Sequence, residues 1–494
     1  MTTFTAPVDD IMHSLNLAGA PALDNWDDAL TSDIIGHFAS FAEGRIAPLD
    51  EVGDTEGAKL ENGKVRMPAG FAEVYREMAE GGWQGLTAPE EFGGMGQGHV
   101  IAAAVSEIFS GANHALQMVC NLVPGHTTTL LRYGTDAQKA EWIPRLANGE
   151  ALATMCLTEP GAGSDLSRVR TKAVQAGDSW QISGEKIFIS GGDQDMSDDI
   201  LHLVLARSGA VEDGVKGLSL FLCSKSKAGP SIKVTRIEEK LGIHASPTCH
   251  MVFEAAPGEL IGEEGQGLAA MFTVMNHARI DVALQGVAHA ARAYAIAQAY
   301  AEERVQGRKP DGSPAVLADH ADVRRMLAEQ RDLAIGARTM AHIALVEKEK
   351  GTRPELAEFL TPLCKFFCTE AGIRAADLGI QVLGGYGYLT EYRVAQTWRD
   401  ARITSIYEGA NGIHYLTLAT RGVRAKGGAA ADAFEALIPE LSSSPKVKEK
   451  LSVWRDMRAS LKRAADPSEH AYYFAQASGD LMFCAVLERH GNPA

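Results

Sequence analysis

The chain has no apolar run approaching the roughly 18–20 residues that a membrane-crossing helix needs, so no membrane insertion is expected. It contains no Cys-x-x-Cys and no His-Glu-x-x-His. Its seven cysteines (Cys120, Cys156, Cys223, Cys249, Cys364, Cys368, Cys484) are scattered and odd in number. That pattern argues against a disulfide framework or a metal site and predicts buried thiols in a reducing compartment. Basic residues are in deficit, 47 Lys and Arg against 63 Asp and Glu, for a net charge of −16. Such a balance repels a phosphate backbone, so no nucleic-acid partner is expected. The first ten residues, Met1 to Asp10, lack the basic and apolar regions of a secretory signal and carry acids where a transit peptide carries arginines. A cytoplasmic location follows as the expectation. Also missing are the Walker Gly-x4-Gly-Lys-Ser/Thr and the serine elbow Gly-x-Ser-x-Gly. Neither Gly262-x-x-Gly265-x-Gly267 nor Gly94-x-Gly96-x-Gly98 follows a strand and opens a helix inside a βαβ unit, as a Rossmann phosphate loop would require.

What is present is a 494-residue chain with 46% hydrophobic residues, enough for several packed regions. Residues 1–32 read as an irregular extension with Pro7 and Pro21. Residues 33–152 carry helical spacing, as in Phe71, Val74, Tyr75 and Met78, and Thr135-Asp-Ala-Gln138 has the form of a capping box. Residues 153–266 change to short runs separated by turns, such as Ile200–Ala206 and Leu218–Cys223, and predict an antiparallel β domain. Helical spacing returns over 267–424, with four helices predicted at 268–305, 317–349, 355–383 and 406–424. Residues 425–494 read as a Gly/Ala link followed by amphipathic stretches near 445–464 and 470–488. The fold class expected is α+β: a helical domain, a β domain, a four-helix bundle and a helical tail.

Two segments carry chemistry. Cys156-Leu-Thr-Glu-Pro-Gly-Ala-Gly-Ser-Asp165 offers small residues whose backbone N–H groups can cradle a pyrophosphate, with Thr158 adding a hydroxyl. Alone, it would read better as a glycine turn. In Ile403-Thr-Ser-Ile-Tyr-Glu-Gly-Ala-Asn411, Glu408 stands among apolar side chains, where a carboxylate becomes basic enough to take a proton from carbon. Alone, it would read better as a helix-terminal acid offsetting the dipole.

Together these segments, with Leu86–Gly98 and Tyr133–Glu150, resemble the signatures of the acyl-CoA dehydrogenase family over about residues 33–422. The resemblance implies an acyl-CoA dehydrogenase fold and α,β-dehydrogenation of an acyl-CoA with FAD. Glu408 would be the base, and Ala278, at the alternative base position of some members, cannot act. Thr158, Gly163, Ser164, Phe188, Ser190 and Asn411 match flavin contacts; Arg304, Gln381, Gly384 and Gly385 match groups that reach the FAD of a neighbouring subunit. Asn276, Arg279, Tyr407 and Gly409 match the substrate side. Phe188 replaces a common tryptophan, and Ala410 a common threonine. Lys186–Asp193, Lys240–Cys249 and Glu303–Arg308 resemble the branch that includes 3-(methylthio)propanoyl-CoA dehydrogenases, with a shorter tail. Short- or medium-chain acyl-CoA and the sulfur substrate both stay open. An electron-transfer flavoprotein as acceptor and a homo-oligomer, dimer or tetramer, are further implications. An oxidase using O2 and a noncatalytic flavin-binding relative are the competing readings.

Overall fold

The computed structural model describes residues 3–177 and 179–491. Its contacts gather into two compact units, one of residues up to 44 with 98–112 and 279 onward, the other of residues 45–97 and 113–278.

The first unit is helical. Its framework is the C-terminal part of the helix Gly267–Glu303, then Ala321–Lys350 and Pro354–Leu383. Alanines at 283, 290, 293, 297 and 301 are fully buried along the first of these, which lets the helices approach closely. A tight approach lies at Gly286 and Gly372: a Cβ on Gly286 would lie 2.3 Å from the Cys368 carbonyl oxygen, and one on Gly372 2.5 Å from that of Gly286. Side chains cannot be accommodated at this crossing. The helix predicted at 406–424 forms only from Asn411, as Asn411–Thr417 with a π-type turn over Leu418–Gly422. Residues 406–410 are instead a non-helical turn, because Glu408 and Gly409 have φ of +53° and +91°.

The lead-in also differs from expectation. Val8–Ala18 is a helix that buries Ile11 and Leu15 one turn apart, and Gly19 closes it in the left-handed conformation. Ser14 Oγ lies 2.9 Å from Thr339 Oγ1 and 2.8 Å from His342 Nδ1, tying this helix to Ala321–Lys350. In the tail, Pro445–Arg463 and Ala471–Arg489 appear close to the two predicted stretches. Ala429–Leu441, expected to begin as a link, is a further helix whose Phe434, Leu437, Ile438 and Leu441 are buried. Phe434 stacks on Phe359 at 4.5 Å between ring centroids, and Trp454 Nε1 donates to Ser478 Oγ at 2.8 Å. Tertiary contacts of this kind set the tail's helices.

The second unit holds a seven-stranded sheet. Its path runs Ala151–Cys156, Asp199–Arg207, Lys172–Ala176, Ser179–Ser190, Thr248–Ile261 and Leu218–Ser224, with Ile232–Ile237 beside Thr248–Ile261. Leu218–Ser224 pairs back onto Asp199–Arg207, so the sheet returns on itself. Most pairings are antiparallel, but Ala151–Cys156 runs parallel to Asp199–Arg207 and Lys172 bridges Arg207 in the parallel sense. Val204, Phe221, Met251 and Phe253 fill the interior. Phe71, Val74, Tyr75 and Met78 are buried on one helix, and Thr135 with Gln138 forms the reciprocal cap. All seven cysteines are buried free thiols. No helix among the described residues is long and apolar enough to cross a membrane.

Candidate functional site

In the first unit, Glu408 sits in the turn between the short helix Arg402–Ser405 and Asn411–Thr417. A non-glycine residue with φ near +53° carries strain of about 1–3 kcal/mol, which persists only where surroundings enforce it. Its Oε2 is buried and has no hydrogen-bond partner. Burial raises the carboxyl from 4.5 to about 7; Arg279 and Lys365 pull it down, while Asp281 pushes it up. The result is a carboxylate poised near neutrality with one face uncommitted.

The turn is braced from beneath. Lys365, fully buried on Pro354–Leu383, donates to the Gly409 carbonyl at 2.8 Å and to Asn411 Oδ1 at 3.0 Å. Burial lowers its ammonium from 10.5 to about 7, and the Glu408 charge holds it up. His414 Nε2 lies 3.1 Å from the same Gly409 oxygen. Burial drops His414 to about 3, so the ring is neutral and, facing a carbonyl, donates from Nε2. A Cβ on Gly409 would come within 3.1 Å of that nitrogen. Tyr407 donates its hydroxyl to Gln285 Oε1, and Gln285 in turn donates to Asp281 at 3.3 Å.

Asn411, expected among the cofactor contacts, has its side-chain amide hydrogen-bonded within the protein. It is buried; Oδ1 accepts from Lys365, and Nδ2 donates to Glu370 Oε1 and Thr369 Oγ1, both at 3.2 Å. Its side-chain amide is therefore spent inside the bundle. Sequence reasoning missed Lys365 and His414. The signal available was a lysine inside the apolar run Leu363-Cys-Lys-Phe-Phe-Cys368, since lysine is almost never buried without a specific partner. Elsewhere on this unit, Gln381, Gly384 and Gly385 are exposed, the two glycines have open space before them, and the Arg304 guanidinium lies 5.2 Å from the Tyr386 ring centroid.

The second unit carries the other expected cofactor residues. Phe188 lies at a register break in the pairing of Ser179–Ser190 with Thr248–Ile261, between Lys186 and Ile189. The break holds Phe188 at φ +59° with the residue 60% exposed, an unusual exposure for a phenylalanine. Ser190, partly exposed, pairs with Thr248 at the end of that strand. The Ile187 N–H donates to the Thr158 carbonyl at 2.9 Å, joining this strand to the 157–165 loop. There Gly163 and Ser164 are exposed, and nothing lies within 4 Å of a Cβ placed on Gly161 or Gly163. The loop is anchored by Glu159, which accepts from Lys186 Nζ at 2.8 Å and from the N–H groups of Arg170 and Thr171 at 2.7 and 3.0 Å. An exposed ring held out of the ladder, joined to open glycines, fits a planar cofactor with a diphosphate tail. Asn276 is exposed on the helix Gly267–Glu303.

Three family descriptions match the chain: acyl-CoA dehydrogenase, N-terminal domain over residues 32–150, middle domain over 154–256 and C-terminal domain over 265–423. The chain belongs to the acyl-CoA dehydrogenase family. Members are oxidoreductases, and membership implies a flavin and an acyl-CoA substrate. The chain is 43% identical over 465 residues to a 3-methylmercaptopropionyl-CoA dehydrogenase of Ruegeria pomeroyi, covering 88% of this chain and 79% of that one. It is 35% identical over 415 residues to a broad-specificity linear acyl-CoA dehydrogenase of Mycobacterium tuberculosis, covering 77% and 68%. The solved butyryl-CoA dehydrogenase of Megasphaera elsdenii superposes with a TM-score of 0.70 at 27% identity, covering 79% of this chain and 97% of that one. That solved structure shares the acyl-CoA dehydrogenase fold, which in this chain is helix-rich with a middle β domain.

Proposed function

We propose that the protein is an FAD-dependent acyl-CoA dehydrogenase that converts an acyl-CoA to the 2-enoyl-CoA, with Glu408 as the base that takes the α-proton. The observation that carries this reading is the Glu408 carboxylate: strained, buried on one oxygen with no partner, and raised to about 7. FAD, when bound, supplies the acceptor for the β-hydrogen as hydride. The protein's share is to hold that cofactor and to place and tune the base. Phe188 offers its ring face, Ser190 a hydroxyl, and Thr158, Gly163 and Ser164 a hydroxyl and open backbone donors. Arg279 offsets the ionised form of Glu408, and Tyr407 and Gly409 shape the turn that presents it. Asn276, exposed on the long helix, is a candidate contact for the CoA arm.

The 43% identity to a 3-methylmercaptopropionyl-CoA dehydrogenase supports a short acyl chain, with a thioether chain among the first to test. Arg304 with Gln381, Gly384 and Gly385 presents donors on an exposed face, which supports a homo-oligomer in which one subunit completes the FAD site of the next. An electron-transfer flavoprotein is the proposed acceptor.

The deciding experiment is Glu408→Gln, followed by anaerobic mixing with acyl-CoAs of graded length. The variant is expected to retain its flavin and to lose about 10²–10⁴ in the rate of flavin bleaching, the usual worth of a positioned base. Bleaching at the wild-type rate would remove Glu408 from the reaction. Stoichiometric peroxide during wild-type turnover would make the enzyme an oxidase.

A further inference from the structure

The geometry points to Lys365 as a positioning residue that clamps the Glu408–Gly409 turn through the Gly409 carbonyl and whose charge favours the ionised base. This rests on the reading of Glu408 as the base. Lys365 is fully buried, and its Nζ reaches two acceptors, Gly409 O at 2.8 Å and Asn411 Oδ1 at 3.0 Å. Neither acceptor is charged, and Lys365 forms no ion pair within 4.0 Å among the described residues. Burying an ammonium without a paired carboxylate is costly, and a neutral donor would satisfy the same two oxygens more cheaply. The feature that a neutral donor lacks is charge, and the charge that Lys365 senses most strongly is Glu408.

The clamp acts on the Gly409–Ala410 peptide, one residue beyond the base. Glu408 is held at φ +53°, and the Gly409 oxygen beyond it accepts from both Lys365 and His414. Two donors on one carbonyl fix the Gly409–Ala410 peptide plane, which restricts the backbone of the turn that presents Glu408. The support continues outward: Asn411 donates to Glu370 Oε1, which also accepts from the Tyr415 hydroxyl, while Gln476 of the C-terminal helix donates to Glu370 Oε2 at 2.9 Å. The tail therefore braces the base through Glu370, Asn411 and Lys365.

The charged and titratable groups facing this pair come from several elements. Glu408 feels Arg279 and Asp281 from the long helix as well as Lys365; Lys365 feels Glu408, Arg279 and Glu370; His414 feels Lys365 and Arg279. Arg279 remains when Lys365 is replaced, so loss of Lys365 should weaken the bias toward the ionised base without abolishing it.

The test uses Lys365→Met, which removes donor and charge, and Lys365→Gln, which removes charge but keeps an amide donor on a shorter arm. Both flavin-loaded variants are compared with wild type in two ways. In the pH profile of kcat/KM, the acid limb should move up by about one pH unit in both variants, as expected when one of two nearby cations is lost. The high-pH plateau should fall about tenfold in Lys365→Met and less in Lys365→Gln, separating clamp from charge. The second readout needs no turnover: the infrared carboxyl band that disappears in Glu408→Gln is titrated with pH, and its midpoint should rise by the same one unit. A midpoint and acid limb that stay within about 0.2 unit of wild type in both variants would overturn the proposal, since a space-filling lysine would move neither. If neither variant folds, the lysine is a folding requirement and the positioning role is overturned as well. A wild-type protein inert toward every acyl-CoA would sink the dehydrogenase reading, while a Lys365-dependent shift of the Glu408 band would still stand.

Discussion

Replacing Glu408 by glutamine should stabilise the fold while it removes the proposed base, and the stabilisation should depend on pH in a way set by burial. The carboxyl is raised from 4.5 to about 7, with burial as the main cause. For an acid whose folded value lies above its unfolded one, folding opposes ionisation. The penalty is absent below the unfolded value, grows between the two, and is full above the folded value. Linkage puts the penalty at about 3 kcal/mol near pH 8, about 2 near pH 6 and less than about 0.5 near pH 4.5. Glutamine copies the neutral acid and escapes it. Arg279 and Lys365 lose an attractive partner in the variant, so the observed gap should fall below these figures. Urea midpoints read by far-UV circular dichroism, on flavin-saturated protein across this pH range, would measure it. With a slope of about 3 kcal/mol per molar urea, the variant's midpoint should exceed that of wild type by up to about 1 M near pH 8 and coincide near pH 4.5. A gap of equal size at both ends of the range, or a variant less stable near pH 8, would refute the view that burial makes Glu408 basic.

Two further outcomes are expected. Phe188→Gly relieves the φ of +59° but adds freedom to the unfolded chain, so flavin-free stability should stay within about 0.5 kcal/mol while flavin affinity falls at least about tenfold. Unchanged affinity by equilibrium dialysis would exclude the ring from the cofactor site. Glu159→Gln should cost about 3–5 kcal/mol near neutral pH, because it leaves Lys186 buried without its counter-charge. Burial works against the Glu159 charge, but Lys186 and the backbone donors of Arg170 and Thr171 outweigh it and hold the carboxyl below its ordinary range. Its stabilising contribution is therefore present above the ordinary carboxylate value and fades as pH falls through the depressed one, which thermal melts from pH 7 to 3 would reveal. A variant as stable as wild type near pH 7 would contradict this.

The sequence alone determined the order helices, sheet, helices, and the family, because both rest on local information. Periodicity separates helix from strand residue by residue, as in Phe71 to Met78 and Leu218 to Cys223, and the Thr135–Gln138 cap is written in four adjacent positions. Glu408 could be named because its signature is contiguous. What tertiary structure decided is whatever depends on partners distant in the chain. Val8–Ala18 is too short to be a stable helix alone, and its packing on residues more than 300 positions away settles it. Phe188 is exposed because two strands slip register between Lys186 and Ile189, which no single strand encodes. Asn411 turned inward because Lys365, 46 residues earlier, supplies the buried ammonium that its oxygen accepts from. The basicity of Glu408 belongs to the same class: the residue type is local, but desolvation and the opposing charges of Arg279 and Lys365 arise only when remote helices bring them around one turn.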